Sequence, residues 1–425
     1  MSENARPDQL QRLVAHERAL QEPTPERHLF FLLGPAFVAA IAYVDPGNVA
    51  ANLTAGAQYG YLLVWVLVVA NVMAVLIQYL SAKLGLVVGK SLPELLGDRL
   101  PRKGRLIYWV QAELVAAATD LAEVVGGAIA LQILFDVPLL FGGLIVGVVS
   151  TIVLSVQSRR GQRPFEFVII ALLAVIAVGF VAGLLFSPLS WGEAAGGLVP
   201  RFQGSDTVLL AASMLGATVM PHAIYLHSGL ARDRHGASTD RRRITRLLRA
   251  TRTDVVIALV IAGSVNIAML LLAASSLRGV AGTDTIQGAH TAIVAALGPA
   301  IGIIFGIGLL ASGLASTSVG CYAGSTIMAG LLHLRVPLLV RRVITLIPAL
   351  IVLAIGFDPT RALVLSQVLL SIGIPFALIP LVTYTGNKTL MGRFANGRLT
   401  SYAAVIVTVL IVTLNLALIV LTITG

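Results

Sequence analysis

The 425-residue chain has few charged side chains: Asp, Glu, Lys and Arg make up 12% of it, while 57% is hydrophobic. Soluble globular domains carry about 25% charged residues, so this scarcity excludes an ordinary soluble protein. The apolar runs are continuous rather than alternating, which is typical of membrane-spanning helices and not of barrel strands. We therefore expect an all-α polytopic membrane protein.

Cysteine is almost absent. The single residue, Cys321, excludes an internal disulfide and a cysteine-based metal cluster. The seven histidines do not form a His-Glu-x-x-His motif, which argues against a membrane-embedded metalloenzyme. No cleavable signal peptide precedes Leu29, and we expect residues 1–28 to form a polar cytoplasmic tail.

Windows of about 20 apolar residues predict eleven transmembrane helices. Their predicted bounds are 29–58, 61–86, 105–134, 138–157, 165–187, 207–231, 254–276, 298–320, 337–356, 360–386 and 400–424. We number these segments span one to span eleven.

The basic residues alternate with these spans. Of the 30 Lys and Arg residues, 27 fall on one side, and only Arg201, Arg278 and Arg361 fall on the other. The positive-inside rule then predicts a cytoplasmic N-terminus and an outside C-terminus, in a multi-pass protein of the cell inner membrane or plasma membrane. The net charge of +10 thus reflects topology rather than nucleic-acid binding.

Two spans are interrupted by proline near their middle. Span one contains YVDPGNV (43–49), and span six contains LGATVMPHAIYLHS (215–228). Spans one and six are the first members of two blocks of five, and paired breaks of this kind indicate a transporter binding site on an inverted repeat. Proline frees the carbonyl one turn earlier, and irregular backbone at membrane depth is tolerated where it lines a cavity.

These breaks carry candidate cation ligands. An aspartate at the bilayer centre costs about 2.5–3.5 kcal/mol on insertion scales, so Asp45 requires a function. The freed carbonyls near Ala42 and Ala217 and the amide of Asn48 add oxygen atoms, and Met220 adds a thioether. Oxygen ligands suit hard ions, whereas a thioether favours transition metals. Taken singly, a residue such as Asn48 is more often an interhelical hydrogen bond, and a residue such as Met220 is more often core packing.

Span three carries three acids, Glu113, Asp120 and Glu123, at spacings that put them on one helical face. They predict a proton or charge relay, with structural salt bridges as the alternative. His222 and His227, just after the second break, are further proton carriers, because histidine titrates near neutral pH. His227 is equally explained as a hydrogen-bonded core histidine.

The motifs DPGN (45–48) and MPH (220–222) resemble those of the Nramp family of proton-coupled divalent metal transporters, most of all the bacterial manganese transporters. The segment QAELVAAATDLAEVVGGA (111–128) is similar to the third helix of that family. The resemblance covers residues 29–425. It implies a LeuT-type fold with inverted repeats at 29–187 and 207–386 and an extra helix at 400–424.

The resemblance also implies site residues. The metal ligands would be Asp45, Asn48, Met220, the carbonyls of Ala42 and Ala217, and Gln367, which approaches the metal in some states. Asp45 would accept a proton, with His222, Asp120 and Glu123 on the exit route. Arg341 and Arg342 would pair with span-three acids that include Glu113, although Arg341 is also explained as a topology anchor. Asn266 is a further candidate, for a polar gate contact.

From this resemblance we expect proton-coupled uptake of Mn²⁺, Fe²⁺ and similar ions by alternating access, in a monomer that is not an enzyme and has no cofactor. Two other functions remain open. An amino-acid or sodium-coupled symporter has the same architecture but binds a substrate carboxylate at helix N-termini. A passive metal channel differs only in lacking energetic coupling.

Overall fold

A computed structural model describes residues 33–236, 238–334 and 336–424 of the chain. The predicted tail 1–28 and the beginning of span one lie outside the described residues. Every predicted span coincides with helix where it is described, and the described residues contain no strand. The all-α prediction is therefore confirmed.

Spans one and six are each divided in two, as their prolines predict. Span one consists of Pro35–Ala40, a 3₁₀ turn Ile41–Tyr43, and Pro46–Tyr59; span six consists of Gly204–Thr218 and Pro221–His235. The other spans are Val64–Val88, Arg102–Phe135, Leu139–Arg160, Gln162–Leu185, Arg241–Ser276, Pro299–Leu332, Leu338–Ala354, Pro359–Gly386 and Arg398–Thr424. Shorter helical segments between them are Gly60–Leu63, Leu92–Arg99, Trp191–Gly196, Ile286–Leu297, Lys388–Met391 and Gly392–Phe394.

Nine helical stretches in the described part of the chain are long and apolar enough to cross a membrane. Pro46–Val88 is one such stretch and joins the second half of span one to span two, while Gly204–His235 joins the halves of span six. Leu338–Ala354, the helix of span nine, has only 17 residues. The number eleven therefore stays a prediction, as does the division into repeats at 29–187 and 207–386.

Spans three and eight form the centre of the molecule. They approach closely because glycine faces glycine: a Cβ on Gly313 would lie 2.9 Å from the Cα of Gly127. Small residues at such crossings let helix backbones touch, which is the usual packing device of membrane helices. A Cβ on Gly126 would overlap the ring of Pro46, so span three also packs directly against the break in span one.

Spans seven and eight are longer than their apolar windows. Span seven begins at Arg241, well before residue 254, and its N-cap Asp240 accepts a hydrogen bond from the backbone N–H of Arg242 at 2.9 Å. Span eight continues past residue 320 to Leu332. Apolar windows miss such extensions because these parts of the helices carry polar or small residues.

Candidate metal site between two broken helices

The first break is organised by Asp45. Its backbone is extended (φ −71°, ψ 166°), and it caps the second half of span one, which Pro46 begins. Proline suits this first helical position because the N–H it lacks would have no helical partner. One carboxylate oxygen of Asp45 accepts hydrogen bonds from the backbone N–H of Asn48 at 2.8 Å and from its side-chain amide at 2.6 Å.

Neighbouring spans hold the carbonyls of this break. The side-chain amide of Asn266, in span seven, donates to the carbonyl of Tyr43 at 2.7 Å. The hydroxyl of Ser312, in span eight, donates to the carbonyl of Val44 at 2.5 Å. Asn52 donates in turn to Asn266 at 2.8 Å. The polar backbone that the break exposes is thus bonded to fixed elements, as buried backbone groups require.

The second break lies between Thr218 and Pro221. Val219 and Met220 leave the helical conformation, and Met220 is extended (φ −85°, ψ 129°) and completely buried. The last turn before the break is bonded within itself: the hydroxyl of Thr218 donates to the carbonyl of Met214 at 2.6 Å. Pro221 then begins the second half of span six, just as Pro46 does in span one.

The two breaks meet through Asn48. Its side-chain amide donates to the carbonyl of Ala217 at 3.0 Å as well as to Asp45, so it bridges span one and span six. Met220 belongs to the same buried cluster as Ala42 and Val44.

Gln367, predicted from the resemblance alone, also lies at the first break. A Cβ on Gly47 would overlap the Gln367 amide nitrogen and would lie 3.2 Å from the second carboxylate oxygen of Asp45. The absence of a side chain at position 47 thus leaves room for the span-ten amide beside the first break. Together with Asn48, Ala217 and Met220, the predicted ligand residues surround the two breaks.

Several polar atoms of this cluster are buried without a partner among the described residues: one carboxylate oxygen of Asp45, the amide oxygen of Asn48, and both amide atoms of Gln367. Leaving a buried polar group unbonded costs about 1–3 kcal/mol. Oxygen atoms that converge in this way fit a bound cation. No group of three His, Cys, Asp or Glu suited to a metal occurs in the described part of the chain, so a metal here would need amide, carbonyl and thioether ligands.

A cavity of about 210 Å³ adjoins the site. Gly47 and Gln367 line it together with Asp284, in the segment between spans seven and eight, and Thr360, in the first turn of span ten. These segments are on the side that the charge distribution predicts to be outside. The cavity therefore extends from that side to Gly47, two residues beyond Asp45 in the first break.

On the opposite side, the start of span one is hydrogen-bonded to span seven. Asp254, in span seven, accepts hydrogen bonds from the backbone N–H groups of Gly34 and Ala36, both at 3.0 Å. Gly34 has a positive φ of 144°, and a Cβ there would overlap the carboxylate of Glu166, so only glycine fits. The guanidinium of Arg234 lies 3.5 Å from Glu166. We call Gly34, Ala36, Glu166, Arg234 and Asp254 the inner clamp.

Sequence comparison identifies the family. The family model described as natural resistance-associated macrophage protein-like (Nramp) matches residues 36–421. The chain belongs to the Nramp family. It is 60% identical over 409 residues to the divalent metal cation transporter MntH of Mycobacterium tuberculosis, with 96% of each chain covered. It is 48% identical over 389 residues to MntH of Erwinia tasmaniensis, covering 91% of this chain and 93% of that one.

Solved structures agree with this assignment. The Eremococcus coleocola manganese transporter, in complex with an aromatic bis-isothiourea substituted compound, superposes with a TM-score of 0.85 at 30% identity, covering 93% of this chain and 88% of that one. The nucleobase-cation-symport transporter Mhp1 is 15% identical with a TM-score of 0.60, which shows a shared fold only. The predicted LeuT-type fold is therefore confirmed, and the Nramp chain is a transporter rather than an enzyme.

The acids of span three in this Nramp chain contact span nine. Arg342 donates to both carboxylate oxygens of Asp120 at 2.5 and 2.6 Å, and its Nε donates to the hydroxyl of Ser150 at 3.0 Å. The hydroxyl of Thr317 donates to the same carboxylate. Arg341 donates to Glu113 at 2.8 Å. The expected pairs are present, although their part in proton transfer stays a prediction.

Two of the predicted proton carriers have no polar partner in the described residues. The Glu123 carboxylate and both ring nitrogens of His222 are buried and unbonded there. His227 differs, because its Nδ1 lies 2.8 Å from the side-chain oxygen of Gln78. The amide nitrogen of Gln78 in turn donates to the Tyr43 hydroxyl at 2.8 Å. His227 thus matches the core-histidine alternative in its contacts.

Sequence reasoning missed Gln78, Asp254 and Ser312, all of which bond to span one or to His227. Asp254 was detectable as the only acid in the last turns before span seven becomes apolar, amid the arginines of residues 241–252. Gln78 and Ser312 carried no comparable signal, since a single polar residue in a membrane helix bonds to a neighbouring helix more often than to a functional group.

Proposed function

We propose that this Nramp chain takes up divalent transition metal ions, Mn²⁺ and Fe²⁺ among them, in symport with protons. One observation carries the proposal: Asn48 joins the carboxylate of Asp45 to the carbonyl of Ala217 where two broken helices meet. The names of the relatives support it, since they are divalent metal cation transporters and a manganese transporter.

The amide of Asn48 marks where the ion would bind. Its NH₂ group donates to the same two oxygens, of Asp45 and Ala217, that a cation would contact. A cation that enters between them replaces these donors, and rotation of the amide turns its unbonded oxygen towards the ion. One site then combines a carboxylate, an amide oxygen, a carbonyl and, from Met220, a thioether.

Met220 supplies selectivity in this proposal. A thioether is a soft ligand that binds transition metals and contributes little to Ca²⁺ or Mg²⁺. Those hard ions lose a hydration oxygen and gain no equivalent ligand, whereas Mn²⁺ or Fe²⁺ gains a bond to sulfur.

The ion would enter through the cavity that Gly47 and Gln367 line and would pass from it to Asp45. We propose that this side faces outward, that the N-terminus is cytoplasmic, and that the protein acts as a monomer. A negative interior then assists uptake by about 2.3 kcal/mol per charge for each 100 mV, and the gain for a dication is twice this value.

Release to the cytoplasm would require the inner clamp to open. The half-helix Pro35–Ala40 must leave Asp254, and the hydrogen-bonded chain of His227, Gln78 and Tyr43 must break, before the ion can leave inward. The two sides would then open in turn around one site. This alternating access is what the paired breaks of an inverted repeat permit.

Protons would leave through span three. Asp45 binds the proton, and the unbonded carboxylate of Glu123 is one helical turn from Gly126, which touches Pro46. His222 is the corresponding group on span six. Asp120 and Glu113, each held by an arginine, would continue the route towards the cytoplasm.

Uptake into proteoliposomes tests the proposal. Radiolabelled Mn²⁺ should accumulate, with unlabelled Fe²⁺, Co²⁺ and Cd²⁺ competing and Ca²⁺, Mg²⁺ and amino acids failing to compete. Competition by an amino acid without Mn²⁺ transport would favour the symporter alternative. Mn²⁺ flux that never exceeds its electrochemical gradient, whatever the pH gradient, would favour a channel.

Glu123→Gln separates proton from metal movement. Glu123 has no partner among the described residues, so the substitution leaves no uncompensated charge, unlike the loss of Asp120 from its arginine pair. We expect the variant to bind Mn²⁺ but to lose the internal acidification that accompanies uptake, as read with a pH-sensitive dye. Glu193→Gln, at an exposed position, is the control. Unaltered acidification in Glu123→Gln would remove Glu123 from the route.

A further inference from the structure

A second polar site lies far from the breaks, at the beginning of span seven. A cavity of about 430 Å³ is lined by Arg241, Arg242, Thr245, Arg246, Arg249 and Arg393. Among these lining residues none carries a carboxylate. Five guanidinium groups around one cavity favour an anion, and arginine is the side chain whose planar, forked donors best match a phosphate.

The arginines converge for two structural reasons. Arg242, Arg246 and Arg249 recur at helical spacing on one face of span seven. Arg393 comes from the segment between spans ten and eleven and lines the same cavity. Its neighbour Phe394 packs against the apolar cluster that contains Ile244, Leu247 and Leu248 of span seven, which fixes this segment beside the helix. Lys83 fixes the same segment by donating to Asn396 at 2.8 Å.

Topology alone does not explain this arrangement. The positive-inside rule requires cations on the inner side, but not on one face, and not beside a cation from another loop. Arg241 and Arg242 also occupy the first turn of a 36-residue helix, where the helix dipole disfavours positive charge. An anion in the cavity would offset both the mutual repulsion and this unfavourable placement.

The same helix face continues as an apolar stripe. Val256, Ile257 and Val260 follow Arg249 at helical spacing, and their exposed fractions are 39%, 40% and 52%. These residues belong to the predicted span and face lipid. A cationic cavity followed along the same helix face by an exposed apolar stripe matches a molecule with an anionic head and an acyl chain.

We infer that this cavity binds the phosphodiester headgroup of an anionic phospholipid, with an acyl chain lying along Val256, Ile257 and Val260. We call it the headgroup site. The lipid would connect span seven, which carries Asp254 and Asn266, to the segment between spans ten and eleven. A soluble phosphate compound would use the arginines but would gain nothing from the apolar stripe.

Native mass spectrometry of the purified full-length protein tests the site, with phosphatidylglycerol and phosphatidylcholine added in equal amounts. We expect phosphatidylglycerol to bind preferentially. Each arginine near an anionic lipid contributes about 1 kcal/mol, so the triple substitution Arg242→Gln, Arg246→Gln, Arg249→Gln should weaken phosphatidylglycerol binding about 100-fold.

The matched control is Arg102→Gln, Lys103→Gln, Arg105→Gln, which removes the same charge at the beginning of span three, away from the cavity. It should retain wild-type phosphatidylglycerol binding. If the first triple variant does not fold, Arg249→Gln alone should weaken binding about fivefold by the same reasoning. Equal losses in the two triple variants, or none in either, would overturn the inference.

A competition experiment on the wild-type protein distinguishes lipid from soluble anion. Glycerophosphoglycerol has the same headgroup without acyl chains and should displace phosphatidylglycerol only at a large excess. Displacement at equal concentration, by glycerophosphoglycerol or by inorganic phosphate, would show a soluble-anion site and would also overturn the inference.

Discussion

The two breaks differ in what holds them. The first break takes its hydrogen bonds from other spans: Asn266 and Ser312 hold its carbonyls, and Asp254 holds the helix before it. The turn before the second break has one side-chain hydrogen bond within itself, from Thr218 to Met214, and receives one from span one, from Asn48 to the carbonyl of Ala217. The second break also lacks a charged residue and carries Met220 instead.

This difference suggests a division of tasks. The first break presents a negative charge in a geometry that hydrogen bonds from other spans hold in place, which favours affinity for any dication. The second break contributes a carbonyl and a polarisable sulfur and receives few hydrogen bonds from other spans, which favours selectivity among dications. We therefore expect substitutions at the first break to abolish transport and substitutions at the second to change selectivity.

The largest effect should come from Asp45→Ala. The substitution removes the only formal charge at the breaks, and with it a charge-assisted interaction between the carboxylate and the metal ion that is worth about 3 kcal/mol. Mn²⁺ uptake should therefore fall about 100-fold or more. Proteoliposome uptake measures it, with Asp206→Ala, at an exposed position in the first turn of span six, as the control. Near-normal uptake in Asp45→Ala would show that Mn²⁺ binding does not depend on Asp45.

Asp254→Asn should act on conformation rather than on binding. The two charge-assisted hydrogen bonds from Gly34 and Ala36 weaken by about 2 kcal/mol in total, so the inward-open population should rise about 30-fold. The inward-open population can be measured as the rate of maleimide labelling at Ala40→Cys. The buried Cys321 is replaced by serine in this background, so that only the introduced cysteine reacts. An unchanged labelling rate would mean that the inner clamp does not control opening.

Met220→Ala tests the second break. We expect Mn²⁺ uptake to stay within about tenfold of wild type while Ca²⁺ becomes a competitor, because the selective sulfur is lost. Met269→Ala is the matched control, since Met269 is also completely buried in the same cluster but lies in span seven. If the two variants select metals alike, the thioether of Met220 serves packing only.

The smallest effect should follow Glu94→Gln, which tests the C-terminal end of the helix that leaves the second break, on the side that the charge distribution predicts to be cytoplasmic. Burial opposes ionisation of Glu94, but the hydrogen bonds from Arg232 and Ser91 outweigh it and lower its pKa from 4.5. We expect a loss of about 1 kcal/mol in unfolding free energy for this half-exposed pair.

The sign of the pH dependence follows from the lowered pKa. The stabilisation by Glu94 is complete above pH 4.5 and is lost as pH falls through the folded-state pKa. Thermal unfolding at pH 7 and pH 4 should therefore separate wild type from Glu94→Gln more at pH 7. A difference that grows towards pH 4 would contradict this.

Much of this architecture was accessible from sequence because its signals are local. Pro46 and Pro221 interrupt apolar segments, and Asp45 is too costly in lipid to lack a function, so both breaks and most of the candidate ligands could be named from sequence. The family motifs added Gln367. Of the residues that hold the first break, Asn266 was predicted only as a polar gate contact and Ser312 was missed, because both reach the break only after spans seven and eight have packed around span one.

Helix ends were predicted less well for a related reason. Arg241 to Arg252 is helical, but its arginines exclude it from any apolar window, so the length of span seven and the convergence with Arg393 emerge only in three dimensions. Hydropathy locates the part of a helix in lipid, whereas hydrogen bonding and capping by Asp240 determine where the helix begins.

The central claim is that one dication binds where the two breaks meet. Crystals of the protein soaked with Mn²⁺ and measured near the manganese absorption edge test it directly, because the anomalous difference map locates the metal alone. We predict one dominant peak in contact with Asp45, Asn48, Met220 and the carbonyl of Ala217, absent from Asp45→Ala crystals. A dominant peak elsewhere, with none between the breaks, would contradict the account.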